Sequence, residues 1–319
     1  MPLPRCANGT TSSDFSERCA HLFSRGKLSG ERDFEKHPVS RQDVFYLLIE
    51  IPSGKKYMSF LKLSIIFFLA TLFFRSPLSG SPSENVPLSP PPGLPENLVF
   101  GIPSESDLIL NRRGFSLGYS KKRRQALWVS YILTAEQCSG KKVKRKNAFK
   151  VDPAVRYDPV RPKDYKNSGF DKGHLAPAGD MAYSVESMKN SFFMTNISPQ
   201  LPGCNRGIWK RLESQVRRWA EKEGSLCIIT GPLFKKRNKR MKESKLPVPY
   251  AFYKVILDMT PPMKMIAFVI PNETSRKKIF SFAVSVDHAE ELTGLDFFSG
   301  LEDSLEDRLE SSVSFDLWQ

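Results

Sequence analysis

A regular pattern of apolar positions begins near residue 97 of this 319-residue chain. Short apolar or alternating runs bounded by turn-forming residues predict β-strands at 114–119, 126–133, 191–195, 226–230, 251–258 and 263–270. Apolar residues at three- and four-residue spacing predict a helix over 208–222, with further helices at 184–190, at 284–293 and in the acidic tail. Because neighbouring strands lack helical crossovers, we expect an α+β fold with a mixed, largely antiparallel central sheet flanked by helices.

The chain before residue 97 divides into three segments. Residues 1–57 are polar and unpatterned, residues 58–75 hold one lysine followed by about a dozen apolar residues, and residues 76–96 are rich in Pro and Ser. The apolar core suits a signal peptide better than a bilayer-spanning helix, so we expect an exported protein, periplasmic or secreted. An uncleaved membrane anchor is the alternative. The position of this signal also suggests that translation starts at Met58.

The remaining boundary follows from composition. Residues 76–96 cannot bury a core and are predicted to form an extended linker. Residues 97–319 are long enough for a single folded domain.

Charge and cysteine content narrow the partners of that domain. The chain has a formal net charge of +14 and a pI of about 9.5, its Lys and Arg residues crowd positions 112–172, and its last 25 residues are acidic. Clustered cations favour polyanions, because binding releases counterions from phosphates. Five cysteines without a CxxC pair argue against a thiolate zinc site and a disulfide scaffold.

One histidine lies in a motif that carries chemistry. Of four histidines, only His174 closes a motif, the tetrapeptide Asp171-Lys172-Gly173-His174. So short a pattern favours, on its own, a plain surface loop. Asn205 follows 31 residues after His174 and Glu213 another 8 residues later, beside the apolar stripe of the predicted helix. Since Mg²⁺ prefers hard oxygen donors and keeps most of its waters, an Asn and a Glu suffice to hold it near a histidine base.

Seven segments resemble, in order and spacing, the DNA/RNA non-specific endonuclease family of endonuclease G-like enzymes, whose active site is a ββα-metal (His-Me finger) motif. They are ALWVSY at 126–131, GFDKGHLAPAGDM at 169–181, FFMTNISPQ at 192–200, CNRGIWKRLE at 204–213, IITGPLF at 228–234, VPYAFYKVI at 248–256 and TGLDFF at 293–298.

The resemblance implies a role for each matching residue. His174 would be the general base, Asn205 the direct Mg²⁺ ligand, and Glu213 the residue that holds metal-bound waters. Asp171 would orient the site, and Asn196 would hold His174 or the substrate, with a loop amide that caps its own backbone as the alternative. The implied reaction is hydrolysis of DNA, RNA or both to 5′-phosphate ends, with Mg²⁺ or alternatively Mn²⁺. Such enzymes are often homodimers.

The cationic positions are where this chain departs from the family pattern. Lys172 stands where the family usually has Arg, which keeps the positive charge near the scissile phosphate but loses the planar fork. Arg145 lies where relatives often place a phosphate-binding Arg, and its alternative is a solvated basic turn. The basic runs at 121–124 and 141–146 could track a nucleic-acid backbone without reading sequence.

Several alternatives remain open at the level of sequence. Lys172 supports a protein that binds nucleic acid with weak or no turnover, and a sequence-specific HNH enzyme is a further, poorer match. Cys204 is an improbable nucleophile because no second histidine accompanies it. Trp209 and Trp219 follow the apolar stripe and are predicted to be core residues rather than stacking platforms.

Overall fold

The computed structural model describes residues 92–146 and 148–319. The predicted extension at 1–57, the predicted signal or anchor at 58–75 and most of the predicted linker at 76–96 lie outside the described residues. Within the described part of the chain, no helix is long and apolar enough to cross a membrane.

Nine strands within the described residues form two sheets. Seven of them make an antiparallel sheet in the order β1-β2-β3-β6-β7-β8-β9, and β4 pairs with β5 in a separate antiparallel ribbon. Their bounds are β1 Leu108–Arg112, β2 Phe115–Ser120, β3 Gln125–Thr134, β4 Asp171–His174, β5 Ile197–Gln200, β6 Ser225–Leu233, β7 Ala251–Asp258, β8 Lys264–Pro271 and β9 Ala283–Val284. The predicted largely antiparallel α+β fold is confirmed.

In the same described part of the chain, five α-helices accompany the strands. Their bounds are α1 Ala135–Ser139, α2 Val185–Ser191, α3 Lys210–Glu223, α4 Val286–Thr293 and α5 Asp303–Glu310. A π-helical turn, Cys204–Trp209, leads directly into α3, and the backbone leaves helical geometry at Gly207 between the two. The predicted amphipathic segment in the acidic tail is α5.

Burial on both faces of the central strands explains where the helices lie. Every residue of β7 is buried. Consecutive side chains point to opposite faces of the sheet, so that Phe252 belongs to one core cluster and Tyr253 to another. One cluster contains the apolar face of α3, and the other contains buried residues of α4 and α5. The sheet therefore has α3 on one face and the α4–α5 pair on the other. Trp209 and Trp219 are core residues, 0% and 2% exposed, as predicted.

Two of the predicted elements differ from the structure. The strand predicted at 191–195 is wrong, because α2 continues to Ser191 and a short 3-10 helix, Met194–Asn196, follows before β5 begins at Ile197. Within its aromatic run, Phe192 packs against His174, and Phe193 makes only an isolated parallel β-bridge with Lys150. The helix predicted at 284–293 begins at Val286, because the Ser285 side chain caps it by accepting from the amide of His288.

Candidate active site

The motif histidine lies at the end of a short β-ribbon. In the register of β4 and β5, Asp171 faces Gln200 and His174 faces Ile197. Gly173 is required between them, since a Cβ there would collide with the side chain of Gln200. The sequence thus places Asp171 at one end of a strand and His174 at the other.

The imidazole of His174 is enclosed by aromatic rings. It is 8% exposed, and its ring centroid lies 5.4 Å from that of Phe149 and 5.0 Å from that of Phe192. Its Nε2 is buried and makes no hydrogen bond to any described residue. Burial, and then the nearby positive charge of Arg145, lower the pKa of His174 to about 3. The side chain is therefore a neutral imidazole at neutral pH.

Asn196 supports the backbone that follows His174. Its Oδ1 accepts from the amide of Ala176 at 2.9 Å, while its Nδ2 donates to the carbonyl oxygens of Ala176 and Ser191, each at 2.9 Å. The side chain is fully buried and all of these contacts are to backbone. This geometry fits the expectation that Asn196 holds the histidine segment. It does not fit a contact with substrate.

Asp171 joins the ribbon to the turn that precedes α3. Its carboxylate accepts from Asn205 Nδ2 at 2.9 Å and from both ends of the Arg206 guanidinium at 2.7 and 2.6 Å. The Arg206 hydrogen bonds, with help from Asn205, hold the pKa of Asp171 below its usual value. An ionised Asp171 therefore fixes the Asn205 amide, and Oδ1 of that amide is the atom left to bind a cation.

Glu213 lies in the first turn of α3, next to Leu212 on the buried stripe. Burial, and then repulsion from Asp180, raise its pKa. The positive charges of Lys254, Arg217 and Arg145 oppose that rise. Since Arg145 acts on both His174 and Glu213, the structure brings these predicted site residues into one electrostatic neighbourhood.

Glu213 adjoins a network of buried charges, most of which was not predicted from the sequence. Asp180 accepts from Tyr131 Oη at 3.0 Å and from Arg217 at 2.7 Å. Lys254, in the middle of β7, is fully buried, and its Nζ lies 5.1 Å from the centre of the Trp209 ring. Burial lowers the pKa of Lys254. A lone lysine inside an otherwise apolar strand was the signal that sequence reasoning overlooked.

The two predicted cationic site residues both contact aromatic rings. Arg145 is exposed and its guanidinium lies 5.6 Å from the centre of the Phe192 ring. Lys172 Nζ lies 5.2 Å from the centre of the Phe149 ring and 5.7 Å from that of Tyr165. Because Phe149 and Phe192 also contact His174, these rings hold positive charge beside the base. Sequence reasoning missed both phenylalanines and Arg206.

The donors present suit a hard cation. Asn205 Oδ1 and the Glu213 carboxylate are oxygen ligands of the type that Mg²⁺ binds while keeping most of its water. Cys204, next to Asn205, does not add a thiolate, because burial raises its pKa to about 12. The same protonated thiol fits the expectation that Cys204 is no nucleophile.

Comparison with known proteins agrees with this geometry. Residues 95–304 match the family described as DNA/RNA non-specific endonuclease. Nuclease C1 of Cunninghamella echinulata var. echinulata is 33% identical over 222 residues, which cover 64% of this chain and 88% of that nuclease. The mitochondrial nuclease EXOG of Mus musculus is 31% identical over 265 residues, which cover 76% of this chain and 71% of EXOG.

A solved structure extends the likeness to the fold. A crystal structure of the EndoG/EndoGI complex, which addresses the inhibition of EndoG, matches with a TM-score of 0.60 and 28% identity. The match covers 65% of this chain and 91% of that one. Members of the matched family depend on a metal ion. The chain therefore belongs to the DNA/RNA non-specific endonuclease family and is a hydrolytic nuclease.

Proposed function

We propose that this protein hydrolyses phosphodiester bonds of DNA, RNA or both with little sequence preference, using His174 as the general base and one Mg²⁺ ion. The observation that carries this proposal is the buried, unpartnered Nε2 of a neutral His174. A buried imidazole that is held only for structure ordinarily has its ring nitrogens hydrogen-bonded.

The chain's own residues perform the proton transfer. Water attacks the phosphorus atom as His174 Nε2 takes its proton, and the bond to the 3′ oxygen breaks, which leaves a 5′-phosphate end. The arriving phosphodiester brings negative charge next to the imidazole. That charge offsets burial and the effect of Arg145, so it raises the pKa of His174 at the moment when the base must hold a proton.

The metal would be held through Asn205 Oδ1, with Glu213 binding its waters. When bound, it supplies positive charge to the phosphate oxygens and the leaving oxygen. Asp171 keeps the Asn205 amide in place, and Lys172 and Arg145 add fixed charge beside the phosphate. Alternatively, Mn²⁺ would occupy the same oxygen donors.

The test compares His174→Ala with His288→Ala, since His288 is an exposed histidine on α4, which packs on the other face of the sheet. Plasmid DNA and ribosomal RNA are incubated with each variant in Mg²⁺, with and without EDTA, and the product ends are tested for ligation. We expect His174→Ala to lose at least about 10³-fold in turnover, and His288→Ala to retain it. EDTA should stop the wild-type reaction.

Other results point elsewhere. Near-normal turnover by His174→Ala would show that His174 is not the general base. Products with 3′-phosphate ends would show that the bond to the 5′ oxygen is cleaved instead of the bond to the 3′ oxygen. A wild-type protein that binds DNA without cutting would favour the second candidate, a nucleic-acid-binding protein with weak or no turnover, for which Lys172 is the specific observation.

A further inference from the structure

A cationic groove adjoins the candidate active site. It has a volume of about 760 Å³ and lies between α3 and the loop after β8. The helix side contributes the exposed cations Arg206, Lys210, Arg211 and Arg218. The loop side contributes Arg276, Lys277 and Lys278. Its lining contains no Asp or Glu among the described residues. Arg206 is paired with Asp171 from outside the lining, and the other six cations form no ion pair among the described residues.

Hydrogen bonds to the backbone hold the two walls of the groove together. Arg211 donates to the carbonyl oxygens of Ser275 and Lys277, at 3.3 and 2.9 Å, and so fixes the loop against α3. At the other end of the loop, Asn272 accepts from the amide of Leu201 at 2.8 Å and donates to the carbonyl of Pro199 at 3.0 Å. Like charges are therefore held close together by the fold, and this arrangement costs free energy unless an anion binds.

Arg206 connects the groove to the active site. It lines the groove, and its guanidinium also pairs with Asp171 of the histidine motif. An anion that runs along the groove therefore reaches the residues around His174. From Lys210 to Arg218, α3 rises by about 12 Å. One strand of a B-form duplex places about three to four phosphates along that distance.

We propose that this groove binds the phosphodiester backbone of the nucleic-acid substrate next to the cleavage point, through phosphate contacts that carry no sequence information. The proposal rests on the proposed function for the identity of the polyanion. The basic runs at 121–124 and 141–146, which the sequence suggested, are not part of the groove. Its charges come instead from helical spacing on α3 and from the short run at 276–278.

The test uses a charge-matched pair of triple variants. The groove variant is Lys210→Ala, Arg218→Ala and Lys277→Ala, which leaves Arg206 and Arg211 to hold the walls. The control variant is Lys189→Ala, Lys222→Ala and Lys242→Ala, three exposed lysines that do not line the groove. Both lose the same formal charge. Each is made in a His174→Ala background, so that binding is measured without cleavage.

Fluorescence anisotropy with a labelled duplex of about 30 base pairs gives Kd as a function of salt concentration. We expect the groove variant to weaken binding about 10- to 100-fold at roughly 0.1 M salt, and to reduce the slope of log K against log salt by about 2 to 3. The control variant should shift Kd by less than about threefold. Equal losses in the two variants would show a general charge effect and overturn the proposal, as would an unchanged salt slope in the groove variant.

Cleavage provides a second readout when the same triple variants carry the wild-type histidine. The groove variant should lower kcat/KM for the long duplex more than for a dinucleotide, which is too short to reach the groove. An equal loss on both substrates would contradict the proposed path. If the wild-type protein cleaves neither substrate, the proposed function fails, while the anisotropy experiment still decides whether the groove binds the backbone.

Discussion

The ring of Phe149 contacts both the proposed base, His174, and the cationic side chain of Lys172. Lys172 Nζ lies 5.2 Å from the centre of that ring. A cation placed over an aromatic face is attracted by the negative potential of the ring. The departure from the family's usual Arg at this position therefore preserves a localised positive charge beside the base and removes only the planar fork.

We predict that charge, rather than the fork, is what position 172 contributes. Lys172→Met keeps the length of the side chain but removes its charge, and should lower kcat/KM on plasmid DNA by about 100-fold. Lys172→Arg should stay within about tenfold of the wild type. Steady-state kinetics in Mg²⁺ measure both, with Lys242→Met as the control for loss of one exposed lysine.

The two variants also separate the alternatives. Full turnover by Lys172→Met would exclude a role for this charge. A gain far above tenfold in Lys172→Arg would mean that the natural lysine impairs the enzyme, which is the outcome expected of a nucleic-acid-binding protein with residual turnover.

At the scale of elements, the strong periodic segments were predictable and the short ones were not. The stripe of α3 and the long strands β3, β7 and β8 bury many apolar side chains, so their pattern survives in the sequence. Strands β4 and β5 have four residues each and contain polar residues such as Asp171 and Gln200. Their pairing depends on Gly173 and on the buried Asn196, which no periodicity reveals.

The pair of helices α4 and α5 brings like charges together. Carboxylate oxygens of Asp287, Glu290 and Glu310 lie within 4.8 Å of one another. Glu310 is only 6% exposed, and its Oε1 has no hydrogen-bond partner among the described residues. Burial, and then repulsion from Glu290 and Glu306, raise the pKa of Glu310 to about 9. At neutral pH this carboxyl is therefore protonated in the folded protein and ionised in the unfolded chain.

We predict a pH-dependent loss of stability from this helix pair. Below about pH 4.5 Glu310 is protonated in both states and has no effect, and as the pH rises toward about 9 ionisation increasingly favours the unfolded chain. Glu310→Gln should remove that contribution, so its Tm should exceed that of the wild type by several degrees at about pH 8 and match it at about pH 5. Thermal melts in EDTA measure this.

The matched control is Glu243→Gln, because Glu243 is exposed. The Tm of this variant should equal that of the wild type at both pH values. A Glu310→Gln variant that is less stable than the wild type at about pH 8 would show instead that the ionised carboxylate is stabilised in the fold.

At the scale of the whole folded part, the residues of the candidate site were easier to predict from the sequence than the charge around them. Asp171, His174, Asn205 and Glu213 could be found because a short motif and a helix repeat the family's spacing. The groove could not be found, because its charges come from two segments about 60 residues apart that tertiary packing brings together. The same holds for Lys254, whose burial depends on β7 being central in the sheet.

The fold also extends beyond the family match, which ends at residue 304. Trp318 is fully buried, its ring centroid lies 4.9 Å from that of Trp219, and its carbonyl oxygen accepts from Trp219 Nε1 at 2.7 Å. The chain terminus thus completes the core beneath α3, the helix that carries Glu213. We predict that Trp318→Ala destabilises the protein by about 3 to 5 kcal/mol, since a buried tryptophan is replaced by a cavity.

Leu317→Ala is the control. The Leu317 side chain, next to Trp318 in the sequence, is 48% exposed, so its replacement should lower the free energy of unfolding by less than about 1 kcal/mol. Urea unfolding gives both values from the transition midpoints at constant slope. If α3 depends on this contact, Trp318→Ala should also lower nuclease activity near the melting temperature while leaving it close to normal well below. Equal stabilities of the two variants would mean that the terminus merely covers a core that is already closed, and that the domain's functional boundary coincides with the end of the family match.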